Sequence, residues 1–222
     1  SSGFVYPSAA EASQSSWFPC ELNTITVTIR SNVPLFASCL PVITIKGFAA
    51  TNTVAGELPI TSAGQFNSSG AWTQNIGQLV VGVDQDIVPG TDYSFSFRVN
   101  NTDRQQNAKP LAVKACIEGQ ACLDADPDQY GNGFQNLKAD GSDGVKKQPM
   151  AVQDIVFKKR EITQDNPLPC AINQITVMLS TSVPLHLACG HLNVTIAGLA
   201  GTQTSDNPNL AVTDCSATPV FS

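Results

Sequence analysis

The chain has 222 residues, a net charge of −6 and only 14% charged side chains. That balance excludes a basic nucleic-acid surface, since Lys and Arg cluster nowhere beyond Lys158-Lys159-Arg160, which reads as a solvated strand end. No apolar run approaches the roughly 18 residues of a helical membrane span, so membrane insertion is not expected. The length allows one or two domains with a sizeable core. The chain begins Ser1-Ser2-Gly3 without a Met, which reads as a mature or internal fragment.

In chain order the pattern is strand after strand. Thr24 to Ile29 alternates branched apolar residues with Thr, as a half-buried strand does. Val42 to Ile45 repeats the pattern, and Gln78 to Val83 follows. Asp92 to Val99 sets Tyr93, Phe95, Phe97 and Val99 on one face and Ser94, Ser96 and Arg98 on the other. Leu111 to Ile117 is another strand. Ala151 to Phe157 is the strand expected to lead into the last third. Val33-Pro34, Lys46-Gly47, Val88-Pro89-Gly90-Thr91 and Asn100-Asn101 mark turns between them. No stretch sustains a 3.6-residue apolar period. The fold expected is all-β, an antiparallel Greek-key sandwich of immunoglobulin-like or jelly-roll type, with Trp72, Phe95 and Phe97 in its core.

The chain also copies itself 150 residues on. Trp17-Phe-Pro-Cys-Glu-Leu-Asn-Thr-Ile-Thr-Val returns as Pro167-Leu-Pro-Cys-Ala-Ile-Asn-Gln-Ile-Thr-Val. Val33-Pro34-Leu35 returns as Val183-Pro184-Leu185, and Ile43 to Gly47 as Val194 to Gly198 after a one-residue insertion. A repeat of this length is a domain rather than a solenoid rung. The expected domains are a complete sandwich over 1–148, with an acidic loop insert at 118–147, and an incomplete second copy over 149–222. Residues 1–16 then form the leading strand or linker of the first copy. Nothing after Ser69 has a counterpart in the second copy, so that copy must be completed by chain continuation or by strands from a neighbour.

Cys20 and Cys39 lie 19 residues apart, as do Cys170 and Cys189. The repeated spacing is read as one disulfide within each module, in an oxidising compartment. Cys116 and Cys122 are close enough for a third, local bridge. Cys215 is left for an interchain bond or for a partner beyond this sequence.

Asp124, Asp126 and Asp128 have the alternate spacing of oxygen ligands in a Ca²⁺ loop. Gln129 and Gln135 replace the Gly and Glu of that pattern, so an ordinary acidic loop is the competing reading and Ca²⁺ is the only cofactor considered. His186, Cys189 and His191 suggest a metal site, but only the cysteine recurs in the first copy, opposite Phe36, Cys39 and Pro41, and a disulfide sulfur is not a thiolate ligand. Asp84 and Asp86 read as surface. No nucleophile, base and orienting group come together, and no catalytic residue is assigned. Asn67, Asn100 and Asn193 head N-glycosylation sequons, the first two in expected loops and the third opening a strand. The Ser-rich stretch from Ser8 to Ser16 is either an O-glycosylated segment or a plain linker.

The order Pro-Cys-x-x-Asn-x-Ile-Thr-Val, Val-Pro-Leu, Ile-Thr-Ile-x-Gly, Gly90-Thr-Asp-Tyr-Ser-Phe-Ser-Phe resembles tandem β-sandwich repeats of very large secreted, cell-surface proteins of microalgae and other protists. The resemblance covers nearly the whole chain except the acidic insert. It implies an extracellular array in which copies of the module join head to tail as a coat, adhesin or fibre, and it carries over no catalytic residue. The expected function is therefore a non-enzymatic, glycosylated, extracellular filament protein. The alternatives are a cell-surface adhesin or carbohydrate-binding module that takes surface glycans, with Ca²⁺ at the aspartates, and an accessory domain of an enzyme.

Overall fold

The computed structural model describes residues 7–48, 50–108, 111–117, 135–136, 138–139, 149–190 and 193–213. Among these the regular structure is strand, with short 3-10 turns and no α-helix. The strands are β1 (Pro7–Gln14), β2 (Leu22–Ser31), β3 (Pro41–Lys46), β4 (Gly56–Pro59), β5 (Thr61–Ser62), β6 (Phe66–Thr73), β7 (Gln78–Val83), β8 (Asp92–Asn100), β9 (Ala112–Ile117), β10 (Gln135–Asn136), β11 (Lys138–Ala139), β12 (Phe157–Gln164) and β13 (Ile175–Thr181).

Two sheets form the first sandwich. One has the order β11-β1-β2-β8-β5 and the other β10-β9-β3-β7-β6-β4. The pairings are antiparallel except β1 with β11. β2 shows why the pattern folds this way: Asn23, Ile25, Val27, Ile29 and Ser31 are buried in strict alternation with more accessible Thr and Arg. Phe95, Phe97 and Val99 of β8 face the same core, opposite Ile43, Ile45, Leu79 and Val81 of the other sheet. Phe48 closes one end of that core, with its ring 5.3 Å from Phe97 and 5.9 Å from Trp72. Trp72 donates its Nε1–H to the carbonyl of Thr53 at 3.0 Å, so its one polar atom is satisfied.

Two expected features differ. The stretch from Ala151 to Phe157 is no strand: a single bridge joins Val152 to Gln106, and β12 begins only at Phe157. The end of the acidic insert is not all loop, because β10 pairs with β9 and β11 with β1.

A third, two-stranded sheet joins β12 to β13. These strands repeat β1 and β2 in sequence. By compactness the chain divides into Ser1–Arg160 with Met178–Leu192, and Glu161–Val177 with Asn193–Ser222.

On the outer face of the first sandwich, Arg30 pairs with Asp92 across β2 and β8 through two contacts of 2.8 and 2.5 Å. The hydrogen bond from Arg30 holds the Asp92 carboxyl below its ordinary value of 3.8. A depressed carboxylate contributes stability above its unfolded pKa, and that contribution is lost as pH falls through the folded value. Asp92→Asn is therefore expected to flatten the acid limb of stability against pH below about 4, and only slightly, because both partners are solvated. Denaturation midpoints measured across that range check it.

Candidate functional site

The two ends of β2 carry different chemistry. At one end the turn before β2 is built around Asn23, whose side chain is fully buried. Its Oδ1 accepts the N–H groups of Ser15 and Ser16, each at 3.1 Å. Its Nδ2 donates to Gln14 Oε1 at 3.2 Å and to Asn101 Oδ1 at 2.9 Å. Asn101 in turn donates to the carbonyl of Phe18 at 2.9 Å. The Ser16 hydroxyl bonds Glu21, and the Cys20 N–H reaches the carbonyl of Thr102 at 3.1 Å. The network locks Cys20 in the left-handed region, at φ 58°.

Cys39 lies at the other end. Leu35 bridges Ile87, the Ala37 N–H donates to Asp86 at 2.8 Å, and Gly90 N–H donates to the carbonyl of Ser31. These bonds tie the 3-10 turn Ala37–Cys39 to the Ser31 end of β2. Asp86 is thus a cap for that turn. Ten strand residues at about 3.3 Å each separate the two ends by roughly 30 Å, whereas a disulfide needs Cα atoms closer than about 7 Å.

Cys20 therefore does not bond Cys39. It bonds Cys189, 169 residues away, with the Cα atoms 5.3 Å apart. Cys39 and Cys170 are free and exposed. The expected pairs Cys20–Cys39 and Cys170–Cys189 are both overturned: Cys20 and Cys39 lie a strand's length apart, and Cys189 is already bonded to Cys20. Cys116 is disulfide-bonded, with its partner outside the described residues, where Cys122 and Cys215 both fall.

Beside Cys20 the segment after the insert seats on the first sandwich. Met150, Ala151, Val152 and Val183 are buried. Gln14 donates to the carbonyl of Ala151 at 3.1 Å, and Gln106 Nε2 donates to that of Met150 at 2.6 Å. The Gln153 N–H donates to the carbonyl of Trp17 at 2.9 Å. Met150 takes φ 68°, a left-handed value rare outside Gly and Asn. Around this segment lies a cleft of about 770 Å³ whose walls include Gln105, Gln106, Asn107, Gln153, Asp154 and Lys158. Its charged walls are Asp154 and Lys158, and the Ser182 hydroxyl that also lines it donates to the backbone carbonyl of Asp154 at 2.9 Å.

The second copy rebuilds the first locally. Asn173 accepts the Asn166 N–H at 3.2 Å and donates to Gln164 at 2.9 Å, as Asn23 does with Ser16 and Gln14. Cys170 takes φ 62°, matching Cys20. Thr181 bonds the carbonyl of Val183, as Ser31 bonds that of Val33. The difference is cover: Ile175 and Leu179 are 39% and 38% exposed, while Ile25 and Ile29 are buried at 0% and 2%.

Other sequence candidates fall as follows. Asp124, Asp126, Asp128 and His191 lie outside the described residues. His186 is half-buried before the 3-10 turn Leu187–Cys189, and Cys189 is spent in its disulfide. Among the described residues no three His, Cys, Asp or Glu side chains gather as metal ligands. Asn67 and Asn100 are exposed but sit within β6 and at the end of β8, not in loops, and exposed Asn193 opens an irregular segment rather than a strand. The Asn23 network was missed in the sequence; the repeat of Gln14 and Asn23 as Gln164 and Asn173 was its signal.

No protein-family model matches the chain, and no curated protein matches it. Among solved structures it is similar to an M1 zinc metallopeptidase from Deinococcus radiodurans, at 10% identity and a TM-score of 0.29, covering 79% of this chain and 39% of that one. A two-domain M1 zinc metallopeptidase bound to L-tryptophan matches at 13% identity and a TM-score of 0.29, over 47% of this chain and 22% of the other. The chain thus spans well under half the length of these neighbours, and likeness at this level carries no inference about activity.

Proposed function

We propose that this chain is a stretch of an extracellular structural protein whose β-sandwich modules join end to end into a glycosylated surface filament. One observation carries the reading: the disulfide Cys20–Cys189 connects one end of the first module to the position in the second copy that corresponds to the opposite end. A bond between unlike ends is head-to-tail, and a head-to-tail contact that does not close on itself generates a filament. Stable disulfides fit an oxidising, extracellular setting. The exposed Asn67, Asn100 and Asn193 offer glycan acceptors on the flanks.

Purified chain with its native disulfides intact and the free thiols of Cys39 and Cys170 alkylated is expected to associate with rising concentration, with a mass by light scattering that climbs past the dimer. A mass that stays monomeric at every concentration would overturn the reading.

A further inference from the structure

The two free cysteines are the two unlike halves of the bond already present in the molecule. Cys170 corresponds to Cys20, and Cys39 corresponds to Cys189, by the same 150-residue offset. Cys20 and Cys189 are bonded across one step of the repeat. Applying that step again places Cys170 opposite a cysteine of the Cys39 type in the next copy. Applying it backwards places Cys39 opposite a cysteine of the Cys170 type in the preceding copy.

We propose that Cys170 of one copy of this chain forms a disulfide with Cys39 of the next, so that the filament is covalently cross-linked from module to module. This rests on the end-to-end reading and names the bond that holds it.

Cover at the used and unused positions supports it. Cys20 is buried at 5%, while its equivalent Cys170 is exposed. Cys189 is half-buried, while its equivalent Cys39 is exposed. Apolar side chains flank both free thiols in the open: Phe36 and Leu40 are 52% and 61% exposed beside Cys39, and Leu168 and Ile172 are 67% and 96% exposed beside Cys170. Large apolar groups bared at two complementary ends mark surfaces that are covered on association. The backbone is also preset. Cys170 already holds the left-handed conformation of bonded Cys20, and the Cys39 N–H bonds the carbonyl of Phe36 as the Cys189 N–H bonds that of His186. The occupant is a second copy of this chain because the partner must present a Cys39-type turn, and this chain carries one.

Bond formation needs an oxidant, here a small-molecule disulfide such as oxidised glutathione. The Cys170 thiolate attacks it, forming a mixed disulfide and releasing one glutathione thiolate. The Cys39 thiolate of the next copy attacks the Cys170 sulfur and expels the second. Two protein thiols are oxidised, one glutathione disulfide is reduced to two glutathiones, and the thiol protons leave with them.

The test incubates the full chain with oxidised and reduced glutathione and follows it by non-reducing electrophoresis. A ladder of covalent oligomers is expected, and peptide mapping should find the Cys170 peptide joined to the Cys39 peptide. Cys39→Ser and Cys170→Ser should each give no ladder, while an equal mixture of the two gives a dimer and nothing larger. Both positions are exposed, so both variants should keep the parent melting temperature. A Cys170–Cys170 bond, a bond to Cys215, a Cys39–Cys170 bond within one chain, or no dimer in the mixture would each overturn the link. If that happens while thiol-alkylated chain with its native disulfides intact still associates by light scattering, the cross-link falls and the end-to-end reading stands; if that chain stays monomeric, the end-to-end reading falls by itself.

Discussion

Replacing Cys189 by serine is expected to lower the free energy of unfolding by roughly 5 kcal/mol, the chain-entropy value for a closed loop of this length. The loop spans 169 residues, far more than the 19-residue spacing within one copy. Cys20→Ser should cost the same, and the double variant should cost no more than either, because one bond is removed in all three. Cys39→Ser and Cys170→Ser should change stability by less than about 0.5 kcal/mol, as exposed substitutions usually do. Guanidinium unfolding without reductant measures all five. Equal losses for Cys20→Ser and Cys39→Ser would mean that the bond lies within the module.

The alternative arrangement of the cysteines explains a limit of sequence reading. Two pairs at equal spacing are compatible with bonds inside each module, and equally with one bond that steps between modules. Translation by the repeat leaves the spacing unchanged in both cases. What decides between them is the length of β2, which separates the ends that Cys20 and Cys39 occupy. That strand was legible from its Thr-Ile-Thr-Val alternation; its use as a ruler was not. The same alternation placed β3, β7, β8 and β9, with Phe95, Phe97 and Trp72 in the core. It failed where apolar residues serve docking instead of pairing. Ala151 and Val152 are buried, yet their backbone bonds go to Gln14 and Gln106 and not to a strand ladder. It also passed over β4 and β5, whose Gly56–Pro59 and Thr61–Ser62 show no two-residue period. The Asn23 site escaped because a buried amide among Thr and Ile looks like any polar residue of a half-buried strand. Only its partners reveal it: Gln14 from the neighbouring strand β1, and Asn101 from 78 residues further along the chain.

Asn23→Ala is expected to cost about 2–3 kcal/mol, because it removes the acceptor of the buried Ser16 N–H and the donor to Asn101 Oδ1, each worth about 1–3 kcal/mol when left unmade, while the Ser15 N–H keeps the carbonyl of Thr24. Asn23→Asp should not rescue it. The new carboxylate would still accept from Ser15 and Ser16, but it would be a buried charge facing the acceptor oxygens of Gln14 and Asn101. Asn173→Ala removes the matching side chain in the second copy, where Asn173 is exposed, and should cost less than about 1 kcal/mol in the isolated chain. The contrast turns one residue type into a gauge of completion. In the first copy Asn101, just beyond β8, covers the site; in the second, nothing corresponding to β8 pairs with β13 among the described residues. Once a further stretch of module covers β13, the Asn166 amide should acquire the protection of the Ser16 amide, and Asn173→Ala should become as costly as Asn23→Ala. Hydrogen exchange of the Asn166 amide, fast in dilute chain with its native disulfides intact and slow in assembled material, is the expected result. Exchange that stays fast after assembly would mean that the β13 edge remains open in the associated material.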